Sequence, residues 1–476
     1  ELEGEPECVK QTYRDAMAKQ APFLEMSMRG LLMDPAAKAQ SVLELSTKLK
    51  KLDDQFQRIM REVFKSELNW RSPVQLKNLF YGMLGIKEIK GRNSKGVWAP
   101  TVNEDALIQM QANFWAEPLS RYILAMKELH KKISFLNTGI DPDGRFRTSL
   151  NVAGTDTGRT ASSGSDFGTG SNLQNVDRTL RFPFIADPGY ILVNVDLEQA
   201  DARNLGAVIY TLFLESHGAE EAGRFLDFAE SGDLHTKVCK MTWQELPWVG
   251  DPKGDKKVAQ TPYLGEDSYR DMAKKLGHGS NYMGQPKTMA KHTKTPVPII
   301  ESFQKRYFEI FPLIPEWHKL RIEEIKQTGV LTTLYGRRRH FFARRDDANT
   351  HRAAIAYEPQ SMTGHEMDMG ILNLWRNMPE AQLLIQVHDS ILFQVPYDRH
   401  EELVNRACEL LRFSTTLVGG RHFSVPLEAK VGWNWGNREV DKEGKVSNHH
   451  GLEKWTGKAD TRERPTYRNR LKDYLK

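Results

Sequence analysis

Two apolar runs interrupt an otherwise mixed chain, and each ends on an aspartate: Tyr190-Ile-Leu-Val-Asn-Val-Asp196 and Leu384-Ile-Gln-Val-His-Asp389. Short runs rich in Val, Ile and Leu suit strands in a sheet interior. Each aspartate is then a carboxylate delivered to the sheet rim by a rigid support. The second sits at a hairpin turn between strands predicted at 383–387 and 391–395.

Helical periodicity covers most of the remainder. Positions 36–68 predict a long amphipathic helix, and Ser72-Pro73 opens a short helical piece at 74–84. The stretch 85–100, rich in Gly, Lys and Asn, reads as a loop carrying Lys87, Lys90, Arg92 and Lys95. Asn103 has the form of an N-cap, with helix following over 104–137. Gly, Ser and Thr dominate 141–174. Helices are predicted at 198–230, 266–282, 297–328 and 352–375, with a loop at 247–262 and a turn at 332–336.

At 476 residues the chain can build roughly three domains' worth of core. Its 39% hydrophobic and 27% charged residues describe an ordinary globular protein. No apolar run approaches the ~18 residues of a membrane span. The acidic start, Glu1-Leu-Glu-Gly-Glu5, lacks the form of a signal peptide. Cys8, Cys239 and Cys408 fit neither a zinc spacing nor a disulfide framework, so a reducing, cytoplasmic setting is expected. Net charge is +5, of which residues 437–476 supply +4, so any nucleic-acid cleft must be basic locally.

Two strand-borne aspartates brought together can hold two divalent cations, the arrangement of two-metal phosphoryl transfer. The segment Asp196-Leu-Glu-Gln-Ala-Asp-Ala-Arg203 follows the first. Its plain structural reading is a charged helix N-terminus. Asp196-x-Glu198 is also how a 3′–5′ exonuclease metal site opens; the accompanying Tyr-x3-Asp pair, Tyr263 and Asp267, reads as chance. Further on, Arg270, Lys274, His278 and Tyr282 recur at spacing four and line one helix face. Two cations and two aromatic groups there suit a triphosphate and a stacked base, against the alternative of a solvated basic face with one buried tyrosine.

Seven stretches, in order over roughly residues 20–436, resemble the polymerase region of the family A DNA polymerases. The Asp196 segment resembles motif A, the Arg270–Tyr282 helix motif B, and Gln386-Val-His-Asp389 motif C. The others are Phe23 to Asp34, Thr157-Gly-Arg159 to Ser163 with Asn172-Leu-Gln-Asn175, Thr333 to Arg339, and Arg352 to Gln360. The style of Phe167 to Asn175 is nearest to phage or other virus-derived members.

The resemblance implies an α+β right-hand polymerase fold with a palm on an antiparallel sheet, helical fingers and a helical thumb. Its parts would be an N-terminal palm segment at 1–45, thumb at 46–130, palm with motif A at 131–205, fingers at 206–350 with the motif B helix at 266–284, palm with motif C at 351–436, and a basic extension at 437–476. That extension reads either as disordered or as a DNA- or partner-binding arm. With no room for a 3′–5′ exonuclease domain before residue 20, no proofreading is expected.

The implied activity is template-directed addition of deoxynucleoside triphosphates to a primer 3′-hydroxyl in DNA replication. Asp196, Asp389 and the Leu197 carbonyl would hold two Mg²⁺ ions, or Mn²⁺ in their place, about 3.5–4 Å apart. Lys274 and Arg270 would bind the triphosphate, with Lys274 as a general acid, and His235 would contact a phosphate. His278, Tyr282, Gln199 and Asp201 would surround the incoming nucleotide. Arg159, Arg203, Asn172, Gln174, Arg352, Gln360 and His388 would contact primer-template DNA. The implied partners are that DNA, the triphosphates, and a processivity factor or replisome proteins around a monomer without membrane contact.

Four departures stand out: Asp201 for the family's Glu, His278 for Phe or Tyr, Ser390 for Glu, and Ala356 for Asn. The first two predict weakened discrimination against ribonucleotides. A single-subunit RNA polymerase and a catalytically inactive polymerase-like DNA-binding protein are the alternatives. Asp201 and the Thr157 and Asn172 stretches favour the DNA polymerase; both aspartates and Lys274 favour activity.

Overall fold

The structure, a computed structural model, describes residues 3–92, 96–264, 267–441, 443–463 and 465. Helix α1 (Pro35–Phe64) begins where the Asp34 carboxylate accepts from the Ala36 and Ala37 amides, satisfying donors that a helix start leaves open. It packs against α2 (Glu117–Leu136). Phe56 and Met60 of α1 meet Ile123 and Met126 of α2 in an apolar core with Leu79, Phe80 and Leu107. The helix expected over 104–137 is two: Glu104–Met110 ends, and Pro118 in the first turn of α2 sets the restart. The loop expected at 85–100 contains a hairpin, Lys90–Arg92 paired with Trp98–Pro100, and Lys95 lies outside the described residues.

Strand β1 (Tyr190–Leu197) is the middle of a five-stranded sheet. It leads into α3 (Ala200–Glu230), which is interrupted at Gly218 (φ 76°, ψ 167°), and α4 (Leu234–Thr242) follows. Helix α5 (Tyr269–Asn281) packs on α4. Helix α6 (Ala348–Asn377) then leads to β2 (Gln382–Val387), β3 (Ser390–Pro396), β4 (Leu427–Gly432) and β5 (Glu453–Lys454). The sheet order is β2-β3-β1-β4-β5, antiparallel throughout.

Successive β1 residues point to opposite faces. Ile191, Val193, Val195 and Leu197 enter the largest core, with Leu205 and Val208 of α3 and Ile371 of α6. Leu192 enters a second core with Leu384, Val387, Leu392 and Trp435. The next residues on that second face, Asn194 and Asp196, are not in that apolar core. Asp196 thus stands on the open end of a face whose other end is dry.

Three further expectations change. The loop predicted at 247–262 holds a helix, Pro252–Ala259; Asp251 caps it through the Lys253 and Gly254 amides, and Pro252 takes the first helical position, where a missing N–H costs nothing. The helix predicted at 297–328 is split at Phe311-Pro312 into Val297–Ile310 and Leu313–Thr328. The described residues of the extension beyond 436 are folded onto the sheet. Its β5 pairs with β4, and Arg462 lies over the Trp433 ring at 5.2 Å while donating to the carbonyls of Val431 (3.0 Å), His449 (3.1 Å) and Gly451 (2.7 Å). A basic charge count hides this, because it does not distinguish an arginine in water from one seated on an indole. Residues 464 and 466–476 lie outside the described residues.

Candidate active site

A groove of about 840 Å³ runs between the sheet rim and the helices α4 and α5. The β2–β3 hairpin delivers Asp389 to it. Val387 pairs with Ser390, so His388 and Asp389 form the two-residue turn, with His388 in the left-handed region at φ 55°. The Leu197 amide donates to the Asp389 carbonyl at 3.0 Å, tying the ends of β1 and the hairpin together. Asp196 opens onto the solvent of the groove, yet protein packs densely around its carboxylate. That burial, and then the charge of Asp389, push it up to about 6.

Helix α5 supplies the other wall. Ser268 and Asp271 form a reciprocal capping box at its start. Met272, Ala273, Leu276 and Ser280 face the core, which leaves Arg270, Lys274 and His278 lining the groove. His235, from the first turn of α4, lines it too; burial, then Arg270 and Lys274, push its imidazole down to about 4, so it is neutral near pH 7. Burial also lowers His278, against the opposing charge of Asp201. Tyr282 falls behind this wall, beside a cavity of about 40 Å³ bounded by Asp201, His278 and Tyr307. Its hydroxyl is buried with no hydrogen-bond partner among the described residues.

Leu197, Gln199, Asp201, Arg203 and His388 also line the groove. The Asp201 carboxylate accepts from Arg159 Nη2 (3.1 Å) and Thr363 Oγ1 (3.0 Å), while Arg159 Nε donates to the Gln360 carbonyl (3.1 Å). The adjacent loop is fixed by buried Lys19, which donates to the Gly158 carbonyl (3.1 Å) and to Asp368 (2.8 Å). Arg159 thus touches the site through Asp201, and Gln360 touches Arg159. Three more expected DNA contacts do not line the groove. Asn172 bonds to Ser162 and the Asn175 amide, and Gln174 is buried against Gln386. Arg352 donates to Asn349 at the start of α6.

The structure adds residues the sequence reading passed over. Asp233 holds Arg270 in a two-pronged ion pair, with both contacts at 2.9 Å. The signal available was its place two residues before His235. On the sheet side, Arg178, Arg181, Glu428 and Lys430 line the groove. Glu428 stands in register with Asp196, and Lys430 with Asn194. The period-two pattern of β4 puts both on that face, but which strand flanks β1 is not written locally. Burial, then Arg178, lowers the Arg181 guanidinium to about 10 as it lies 4.5 Å over Trp435.

Asp196 and Asp389 present hard carboxylate oxygens to the groove, and burial with the charge of Asp389 leaves the Asp196 carboxylate favouring a nearby cation. Among the described residues, no three or more His, Cys, Asp or Glu side chains converge as a metal-binding group. Hard oxygen donors of this kind suit a divalent cation.

The profile of DNA polymerase family A matches residues 38–437. The thermostable DNA polymerase I of Thermus aquaticus is 27% identical over 453 residues, covering 90% of this chain and 48% of the relative. DNA polymerase I of Caldicellulosiruptor bescii is 24% identical over 436 residues, covering 86% and 45%. The POL domain of Pol1 from M. smegmatis, solved in complex with DNA primer-template and dNTP, superposes with a TM-score of 0.69 at 21% identity, covering 88% of this chain and 69% of that one. The chain spans about half the length of the curated relatives it matches. The fold is that of a right-hand polymerase domain, α+β, and the chain belongs to DNA polymerase family A.

Proposed function

We propose that this chain carries the template-directed DNA polymerase activity of its family, adding deoxynucleoside triphosphates to a primer 3′-hydroxyl. The observation that carries this is a single groove holding Asp196 and Asp389 on one side and Arg270, Lys274 and His235 on the other. Carboxylates at one wall and cations at the other are what nucleotidyl transfer needs, because the reaction is mostly positioning and charge stabilisation. Asp196, Asp389 and the Leu197 carbonyl would hold divalent cations, Mg²⁺ or Mn²⁺. Bound there, such ions supply an activated 3′-hydroxyl and neutralise the leaving pyrophosphate.

The side chains divide the remaining work. Lys274 and Arg270 bind the triphosphate, and Lys274 can give a proton to the departing phosphate oxygen. Neutral His235 donates a hydrogen bond to a phosphate without adding charge. His388 and Arg203, at the groove, contact primer-template DNA, and Arg159 steadies Asp201 beside the nucleotide. The thumb is the α1–α2 body with the Lys90–Arg92 hairpin, the fingers are the α4–α5 region, and the palm is the five-stranded sheet.

Primer extension tests the reading: purified protein, a primed DNA template, all four deoxynucleoside triphosphates, with Mg²⁺ or with chelator. Extension dependent on the metal and on the template is expected. Extension only with ribonucleotides and without a primer would favour the RNA polymerase alternative.

A further inference from the structure

Arg270 does not stand free in the groove. Its Nε donates to Asp233 Oδ2 and its Nη2 to Asp233 Oδ1, both at 2.9 Å, with each side chain about three-quarters buried. The same carboxylate accepts from the His235 amide (3.2 Å), the Thr236 amide (3.3 Å) and the Thr236 hydroxyl (3.0 Å). Asp233 therefore receives five hydrogen bonds from the start of α4 and from α5 together. Its acceptor capacity is filled by protein, so it is not a ligand group itself.

We propose that Asp233 is the positioning residue of the triphosphate site, locking Arg270 and His235 at a fixed separation; this rests on the reading of the groove as a nucleotidyl-transfer site. A guanidinium is a rigid fork of five N–H groups. Asp233 takes one from Nε and one from Nη2, and Nη1 has no protein partner among the described residues. Arg270 is held by one edge and offers the other to a phosphate in the groove that it lines. His235, whose amide bonds to the same carboxylate, is set on the adjoining helix.

The same ion pair could instead oppose nucleotide binding, with Asp233 and the triphosphate competing for Arg270. The two readings differ in sign. Removing a negative charge next to a cationic wall strengthens triphosphate binding on electrostatics alone. If Asp233 positions Arg270, removing it weakens binding although the site becomes more positive.

Asp233→Asn separates these readings, because Asn caps a helix as well as Asp does and preserves α4. Asp233→Ser also caps but is too short to reach Arg270. Both variants, checked for unchanged melting, are titrated with the template-matched deoxynucleoside triphosphate on a primer-template whose primer lacks a 3′-hydroxyl. Affinity should fall roughly tenfold in each, as expected for loss of one charge-assisted, two-pronged contact. In steady-state extension KM should rise by a similar factor, kcat should change by less than about threefold, and primer-template affinity should hold. In an Arg270→Lys background, Asp233→Asn should add little, since its effect passes through the guanidinium. Equal or tighter nucleotide binding in Asp233→Asn, or a full additional loss in the Arg270→Lys background, overturns the proposal. A wild-type protein that neither binds nor incorporates the nucleotide would instead count against the polymerase reading.

Discussion

Asp196 and Ser390 stand directly opposite each other, in register across the antiparallel pair β1–β3. The Ser390 hydroxyl donates to the Val387 carbonyl at 2.9 Å and so closes the hairpin turn instead of adding a carboxylate beside Asp389. On the other flank of Asp196 the register puts Glu428, held by Lys454 (3.2 Å) and Lys430 (3.6 Å). Of Asp196, Asp389 and Glu428, this leaves Asp196 and Asp389 for a cation. Asp389→Asn should therefore lose on the order of a thousandfold in extension rate, the several kcal/mol that metal-borne charge stabilisation supplies. Ser390→Ala should stay within about threefold, under 1 kcal/mol. Single-turnover extension measures both, and a Ser390→Ala loss as deep as that of Asp389→Asn would contradict this division.

The raised Asp196 carboxyl gives a pH test that needs no turnover. Its folded value, about 6, lies above the ordinary value of 3.8, because burial and then Asp389 disfavour the charged form. Stability from this group is complete below about pH 3.8 and is lost as pH rises through about 6. Asp196→Asn should melt above wild type at pH 7 in chelator, and the gap should close near pH 4. Added Mg²⁺ should raise the wild-type melting temperature and leave that of Asp196→Asn nearly unchanged. Wild type melting above the variant at pH 7 in chelator would reverse the assignment.

Asp201 is engaged by Arg159 and Thr363, and the Tyr282 hydroxyl behind it has no partner among the described residues. The small cavity between Asp201, His278 and Tyr282 leaves room behind the groove wall, beside the proposed nucleotide site. Asp201→Glu, one methylene longer, should sharpen discrimination between deoxy- and ribonucleotides by roughly tenfold, the scale of one methylene in a packed pocket. Competition between the two nucleotide classes reads this directly; a variant no more selective than wild type would remove the cavity from the account.

Arg462 fastens the extension to the sheet through three carbonyls and Trp433, close behind the strand that carries Glu428. Arg462→Ala should cost about 1–3 kcal/mol, through partly buried charged hydrogen bonds and a cation–π contact. It should also expose residues near 437–463 to limited proteolysis. Unchanged melting and cleavage would mean that the extension rests on β5 pairing alone.

Much of the site was legible in the chain. The apolar run from 190 delivered Asp196 to the sheet rim, and the spacing of four put Arg270, Lys274 and His278 on one helix side. The split of 104–137 and the helix within 247–262 were not legible. There a proline in a first turn, or an aspartate cap, decides whether a polar stretch breaks or starts a helix. Asn172 and Gln174 were expected at the DNA; each has protein partners, and a polar side chain carries no mark in the sequence of which partner will satisfy it.

What the chain determined by itself is local. Backbone geometry fixes periods of 2 and 3.6, so the face each charged residue takes on its own element follows from spacing alone. What tertiary structure decided is partnership. Asp196 meets Asp389 across 193 positions, Arg270 meets Asp233 across 37, and Glu428 meets Lys454 on a strand that lies beyond the family's matched region. Such meetings depend on strand register and helix packing, which sum weak contacts over the whole molecule. The same register that brought the aspartates together left Ser390 beside them, where a third carboxylate would otherwise stand.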